Sequence, residues 1–408
     1  MNRPNRVLVV GTTPDYIDWL RRARPGRGLY LTLPGLREKA WEPRPEPDEE
    51  LLCAPDDLDR TSDMLKEHLL RHGLKAAGVV AYDCEYLEAA AHLALRLGLE
   101  YHDPEAVRNC RSKLASKRLW EAAGIRCPRC LPVAEFAEAL SFMELTGGRC
   151  VLKPLGGTGS ELVFKVEDET DCRAAFQEYR RRLPGKRVLA EEVIEGEEYS
   201  CDFLMKEGKA AIVRVTRKHL YPGEAFGTAW AYELGSVLPE ACREEALAPL
   251  AARAASVVGI GRGICMLDFI VGPEGPVLLE LAPRPGGSCL PFLLRAAVDL
   301  DTVTLAFDHA EGLVPPRFPT VPPHMIGLCL LARRPGILET LDVSGLAADR
   351  RVRAVEPLRR PGTRIELPPR DYDTWTLAYA AYRPDPGIPV ERQNRQLEQR
   401  LEVTLRAE

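Results

Sequence analysis

The stretch that decides the fold is LDFIVGPEGPVLLELAPRPGG, residues 267–287. Two apolar runs, Ile264 to Val271 and Pro276 to Leu281, flank Gly272-Pro273-Glu274-Gly275. Pro273 presets φ for a type I turn, and Gly275 can take the left-handed position that closes a three-residue hairpin loop. With that loop Gly272 pairs with Pro276, and counting back sets Asp268 opposite Glu280. Directly opposite residues share a face, so two carboxylates stand side by side in an apolar strand pair. Like charges so placed are tolerable when a cation lies between them, and hard oxygen ligands suit Mg²⁺. Arg284, fixed between two prolines before Gly286-Gly287, can hold an anionic oxygen bidentately. Alone, the stretch reads more simply as a surface hairpin with two solvated acids, and a one-residue slip in register would separate the pair. The rest of the chain decides between them.

At 408 residues and 45% hydrophobic, the chain is ample for two to four compact domains. A net charge of −5 with interspersed signs gives no footprint for nucleic acid. Apolar runs fall short of a membrane span and the start MNRPNRVLVV lacks a signal-peptide core, so no membrane partner and a cytoplasmic location are expected. Twelve cysteines in that setting are expected as reduced, partly buried thiols. Cys127-Pro128-Arg129-Cys130 is a lone CxxC without a second pair at zinc-ribbon spacing. His68 and His72 follow Glu67 but do not form HExxH, and a solvated helical face is expected for them.

Strands at Arg6 to Val10, Gly28 to Leu33 and Ala77 to Tyr82 alternate with helices at Leu58 to His72 and Tyr86 to Leu97, predicting a small parallel α/β domain. The first turn is not GxGxxG, and Glu42 to Glu50 is expected as an exposed loop. Pro104 opens another helix, and Ser112 to Ala123 stops at Gly124, with Lys113 and Lys117 one turn apart. The strand Cys150 to Pro154 carries Lys153 and leads into Gly156-Gly157-Thr158-Gly159-Ser160, which reads either as a plain hairpin turn between 154 and 161 or as a loop whose backbone N–H groups could approach phosphate. LAEEVIEGEEYSCDFL (189–204) reads as two strands around Gly196, with Glu191, Glu192, Glu197 and Glu198. Buried carboxylates there need donors, which ribose hydroxyls or an adenine amino group would supply. A strand at Ala210 to Thr216 and a helix at Glu240 to Val258 lead into the hairpin. After Val314 comes a proline-rich connector, then short strands over Met325 to Glu366 and a closing helix from Val390 to Leu405.

Taken in order, these motifs resemble the ATP-grasp superfamily, across essentially the whole chain. They are Lys113 in NCRSKLASKRLWEAAGI, Lys153 in VLKPLGGTGS, then EEVIEGEEYS, and last the hairpin with its arginine. The resemblance implies a mixed α/β and α+β ATP-grasp fold: an N-terminal α/β domain over 1–105, an ATP-grasp domain over 106–313 and a closing module over 314–408. The middle unit would divide into a lid with its entry helix, 106–188, and a metal-bearing half, 189–313. It implies ATP and Mg²⁺, with Mn²⁺ as a substitute, as cofactors. Lys113 and Lys153 would contact phosphates under the loop formed by Gly156, Gly157, Gly159 and Ser160. The linker Glu191, Glu192, Val193 and Ile194 would hold adenine, and Glu198 the ribose. Asp268 and Glu280 would ligate metal, and Arg284, with Lys153, would act on the transferred phosphoryl group. Many members carry asparagine two residues after the second acid; Ala282 stands here, which implies a weaker second metal site and an asparagine that the fold would accept. Gly286-Gly287-Ser288 and the C-terminal module look most like the L-amino-acid ligases that make dipeptides. The activity implied is an ADP-forming ligase joining a small carboxylate to an amine through an acyl phosphate, with small-molecule partners and room for a homodimer. A bicarbonate-activating carboxylase of a nucleotide pathway and a non-catalytic ATP-binding module are the alternatives.

Overall fold

The computed structural model describes residues 5–157, 159–223, 225–313 and 322–407. The run Val7 to Val10 is fully buried, as expected of a parallel strand covered on both faces. It lies in Asn5–Val10, inside a four-stranded parallel sheet ordered Glu50–Leu52, Gly28–Thr32, Asn5–Val10, Lys75–Val80. The expected loop over 42–50 is more ordered than its acids suggest. Glu42 and Glu49 are buried, Glu49 meets Arg21 at 2.8 Å, and Glu50, which opens a strand, meets Arg37 at 2.9 Å. His68 is also buried rather than solvated; its ring packs 4.5 Å from that of His72, over the Asp48 carbonyl.

Two further sheets frame a cleft. The smaller is ordered Cys130–Val133, Val188–Glu191, Cys150–Pro154, Phe164–Val166 and is backed by helices Phe136–Leu145 and Glu169–Arg182. The larger is an eight-stranded antiparallel sheet ordered Gly275–Ala282, Gly263–Gly272, Glu197–Lys206, Lys209–Leu220, Ala229–Leu234, Met325–Leu331, Thr376–Tyr382, Val352–Pro357. Helix Glu244–Val257 covers one face of it. The strands on either side of Gly196 therefore lie in different sheets, and the chain crosses between them at 192–196, a few residues past the expected 188/189 boundary. Residues beyond the connector continue the large sheet through Met325–Leu331. The connector itself lies mostly outside the described residues. The closing helix is shorter than expected, Val390–Glu398, because Leu401 to Leu405 alternates in the strand pattern and Glu402–Arg406 pairs with Gly336–Asp342.

Asp268 does stand opposite Glu280, by a different route from the three-residue loop. Gly272 pairs with Gly275 across a two-residue turn, which shifts the register by one. A bulge between Asp268 and Phe269 then restores it, with Leu279 as the unpaired residue. All twelve cysteines are free thiols and ten are buried; Cys127 and Cys130 are partly exposed.

Gly196 sits at φ +146°, and a Cβ there would lie 2.3 Å from the Val271 carbonyl oxygen. Backbone strain and a backbone clash combine, so Gly196→Ala should cost about 2 kcal/mol or more. Gly185→Ala, also at positive φ but with no atom within 4 Å, should cost only about 1 kcal/mol. Urea unfolding of the two variants beside the parent checks the contrast.

Candidate active site

The cleft lies between the two sheets, and the residues singled out from sequence meet there. Lys113, Lys153, Gly156, Gly157, Gly159, Ser160, the 191–194 linker, Glu198, Asp268 and Glu280 all line it. Val151, Val163, Ile270 and Leu279 supply apolar walls. Thr158 is outside the described residues. Arg284 does not line the cleft. Its guanidinium turns toward the N-terminal domain, donating from Nε to Cys84 Sγ at 2.9 Å and from Nη1 to the Pro285 carbonyl at 2.8 Å.

Each side chain is placed by a local device. Ser112 caps helix Lys113–Ala122 by accepting from the Ala115 N–H, which puts Lys113 at the helix start. From there Lys113 Nζ donates to the Gly157 carbonyl at 3.1 Å, under the glycine loop. Burial holds its pKa below the usual lysine range, against the pull of Glu280. Gly157 and Gly159 lie at φ +100° and +67°, and Ser160 Oγ donates to the Gly227 carbonyl at 2.8 Å, fastening the loop to the opposite wall.

Glu191 ends its strand with a buried carboxylate turned to two lysines, Lys153 at 2.7 Å and Lys117 at 3.0 Å. Burial alone would raise its pKa; the two ammonium groups hold it below the usual range. Lys117 sends its directed hydrogen bond to the Leu279 carbonyl at 2.7 Å. That carbonyl belongs to the bulge residue, so the break in the ladder supplies the acceptor that anchors the helix. On the side of the large sheet, Lys218 Nζ donates to Glu198 and, at 3.1 Å, to Asp268. Burial lowers the Lys218 pKa, but Asp268 and Glu198 outweigh it and hold the group well above the ordinary lysine value. Asp268 Oδ1 is buried without a hydrogen-bond partner. Beneath the hairpin, Asp202 and Arg214 form a buried bidentate pair at 2.9 and 3.0 Å, and Asp202 accepts the Gly286 N–H at 3.0 Å, fixing the Gly-Gly turn.

Residues 110–288 match the family model described as the ATP-grasp domain. The chain carries an ATP-grasp domain. Human carnosine synthase 1 is 28% identical over 298 residues, spanning 66% of this chain and 35% of that protein. The D-alanine–D-alanine ligase of Verminephrobacter eiseniae is 31% identical over 198 residues, 45% of this chain and 59% of that one. The chain thus spans about a third to three fifths of the length of these relatives. The crystal structure of the L-amino acid ligase from Bacillus licheniformis superposes with a TM-score of 0.79 at 18% identity, covering 99% of this chain and 100% of that one. The ATP-grasp fold therefore extends over nearly the whole chain. Among the described residues, no helix is long and apolar enough to cross a membrane.

Two charged residues at or behind the cleft escaped the sequence reading. Lys117, given no role from sequence, is fully buried against Glu191; its spacing of four from Lys113, on one helix face, is the available signal. Lys218 carried no local signal, because strand pairing alone brings it beside Glu198 and Asp268. Ala282, expected near metal, is instead buried in the apolar cluster of the N-terminal domain with Val107 and Leu87.

Two expectations follow from this packing. Glu191→Gln leaves two buried ammonium groups without their counter-charge and should cost about 3 kcal/mol or more at neutral pH. Because the folded-state pKa of Glu191 is depressed, its contribution is present above the unfolded carboxylate value and lost as pH falls through the folded one. Urea titrations at pH 7 and pH 4 should therefore show the gap between parent and variant narrowing in acid. Ala282→Asn forces an amide into an apolar cluster and should destabilise by about 1–3 kcal/mol, contrary to the tolerance expected from sequence. Thermal unfolding of the apo-protein measures it.

Proposed function

We propose that this protein is an ATP-dependent ligase that activates a small carboxylate, an amino acid, as an acyl phosphate and joins it to an amine, releasing ADP and phosphate. One observation carries the reading: a single cleft presents Lys113 and Lys153 toward the cross-strand pair Asp268 and Glu280, with Asp268 Oδ1 buried and unpartnered. A buried carboxylate oxygen without a donor is costly unless a ligand supplies positive charge. Hard carboxylate oxygens in that position fit Mg²⁺, and Mn²⁺ equally, with Asp268 and Glu280 as the residues that would hold it. Such an ion, when bound, neutralises charge on the transferring phosphoryl group.

This chain's own groups divide the remaining work. Lys113 and Lys153 offset polyphosphate charge, and the backbone of the glycine loop closes over it. Glu192, Val193 and Ile194 offer backbone edges to adenine, and Glu198 accepts from ribose hydroxyls. Arg284 sits beyond Glu280 toward the N-terminal domain, on the side from which a substrate carboxylate would approach. The closed loop, fastened at Ser160, keeps water from an acyl phosphate. Positioning and electrostatics suffice, so no protein nucleophile is required. The names of the relatives, carnosine synthase and D-alanine–D-alanine ligase, support amino-acid chemistry. We divide the chain accordingly into an N-terminal unit (1–105), the ATP-gripping unit (106–313) and a closing unit (314–408).

Pairs of amino acids and small acids supplied with ATP and Mg²⁺ should yield ADP and phosphate in step with amide. Glu280→Gln should lower that turnover by about a thousandfold or more, a loss of some 4 kcal/mol in the barrier. Release of AMP and pyrophosphate, or near-normal ADP formation by the variant, sinks the proposal.

A further inference from the structure

The charges in the cleft balance without any ligand. Four carboxylates, Glu191, Glu198, Asp268 and Glu280, line it with three ammonium groups, Lys113, Lys153 and Lys218, and a fourth, Lys117, is buried behind Glu191. Two acids on the rim are matched separately, Glu161 by Arg182 at 3.1 Å and Glu192 by Arg129 at 2.6 Å. The balance is not evenly shared. Glu191 holds two lysines, whereas Lys218 alone serves two acids, Glu198 and Asp268. Its side chain is only 9% exposed and reaches the metal-side acid at 3.1 Å. We infer that Lys218 is an internal counter-cation of the metal site, holding the charge of Asp268 until a divalent ion arrives together with polyphosphate.

The physical argument is one of competition at a single carboxylate. A divalent cation entering alone would approach an acid already neutralised by an ammonium at contact distance, and it would be repelled by that same ammonium. Little is gained, and the ion must also give up water. Polyphosphate changes the balance, because it offers Lys218 another anion within the same cleft and releases Asp268. Lys218 thus makes metal binding conditional on the nucleotide and keeps Glu198 and Asp268 from repelling each other in its absence. The inference rests on the nucleotide reading of the cleft, and it concerns order of binding rather than the chemistry catalysed.

Mn²⁺ binding to the full chain, followed by electron paramagnetic resonance with and without ADP, tests it without any turnover. The parent should bind Mn²⁺ weakly alone and at least about tenfold more tightly with ADP. Lys218→Met should bind Mn²⁺ without nucleotide at least about tenfold more tightly than the parent. Lys218→Arg, which keeps the charge, should behave like the parent. Equal Mn²⁺ affinity in parent and Lys218→Met without nucleotide overturns the assignment while leaving nucleotide binding intact. If Lys218→Met does not fold, the parent decides alone: tight Mn²⁺ binding that ADP does not change overturns it. Failure of ADP to bind the parent, seen by calorimetry, removes the nucleotide reading and this inference with it.

Discussion

The antiparallel pairing of Gly263–Gly272 with Gly275–Ala282, interrupted once at Leu279, is the constraint on which the site depends. A tight turn alone would put Asp268 out of register with Glu280. The bulge corrects the register, and its unpaired carbonyl receives Lys117, which in turn holds the carboxylate of Glu191. One local irregularity thereby joins the edge of the large sheet, the entry helix and the small sheet. Strand bulges re-aim side chains at functional sites in this way, at the expense of one pair of ladder bonds.

The second principle is that buried charge is tolerated only in matched groups. Asp202 and Arg214 are almost completely shielded from solvent, yet each finds directed partners, including the Gly286 N–H and the Ser200 carbonyl. Glu191 with its two lysines follows the same rule. Removing one partner from such a group leaves a bare charge in a low dielectric, which is far costlier than never having buried the group. Their placement under and beside the hairpin explains why a polar cleft can keep a fixed shape.

What was legible in the sequence follows from the range of each interaction. The apolar runs, the Pro-Glu turn and the parity of strand positions are local, and they led to the Asp268–Glu280 pairing even though the turn was one residue shorter than expected. The two strands around Gly196 were visible as strands, but nothing local says that they belong to different sheets. Lys218 and the inward turn of Arg284 depend on residues far along the chain, and no spacing rule reports them. Ala282 was misjudged because strand parity indicates which residues share a face, not what covers that face; the N-terminal domain packs over it. Glu49 was misjudged for a related reason, since an acid in a loop becomes buried when an arginine such as Arg21 lies within reach.

The two sheets that frame the cleft share no strand. The small one is joined to the rest by the chain on either side of it, at 123–129 and 192–196, by the buried Lys117–Glu191 pair, and by single bonds that include Ser160 to Gly227, Lys113 to Gly157, and the Leu162 N–H to the Tyr372 hydroxyl. Swinging the small sheet aside therefore unzips no ladder. The arrangement is that of a door on two hinges with several catches. Movements of that kind run in about microseconds to milliseconds and need not loosen either core. One catch is fastened from the far end of the chain, so the closing segment, by gripping the loop through Tyr372, has a hand on the door.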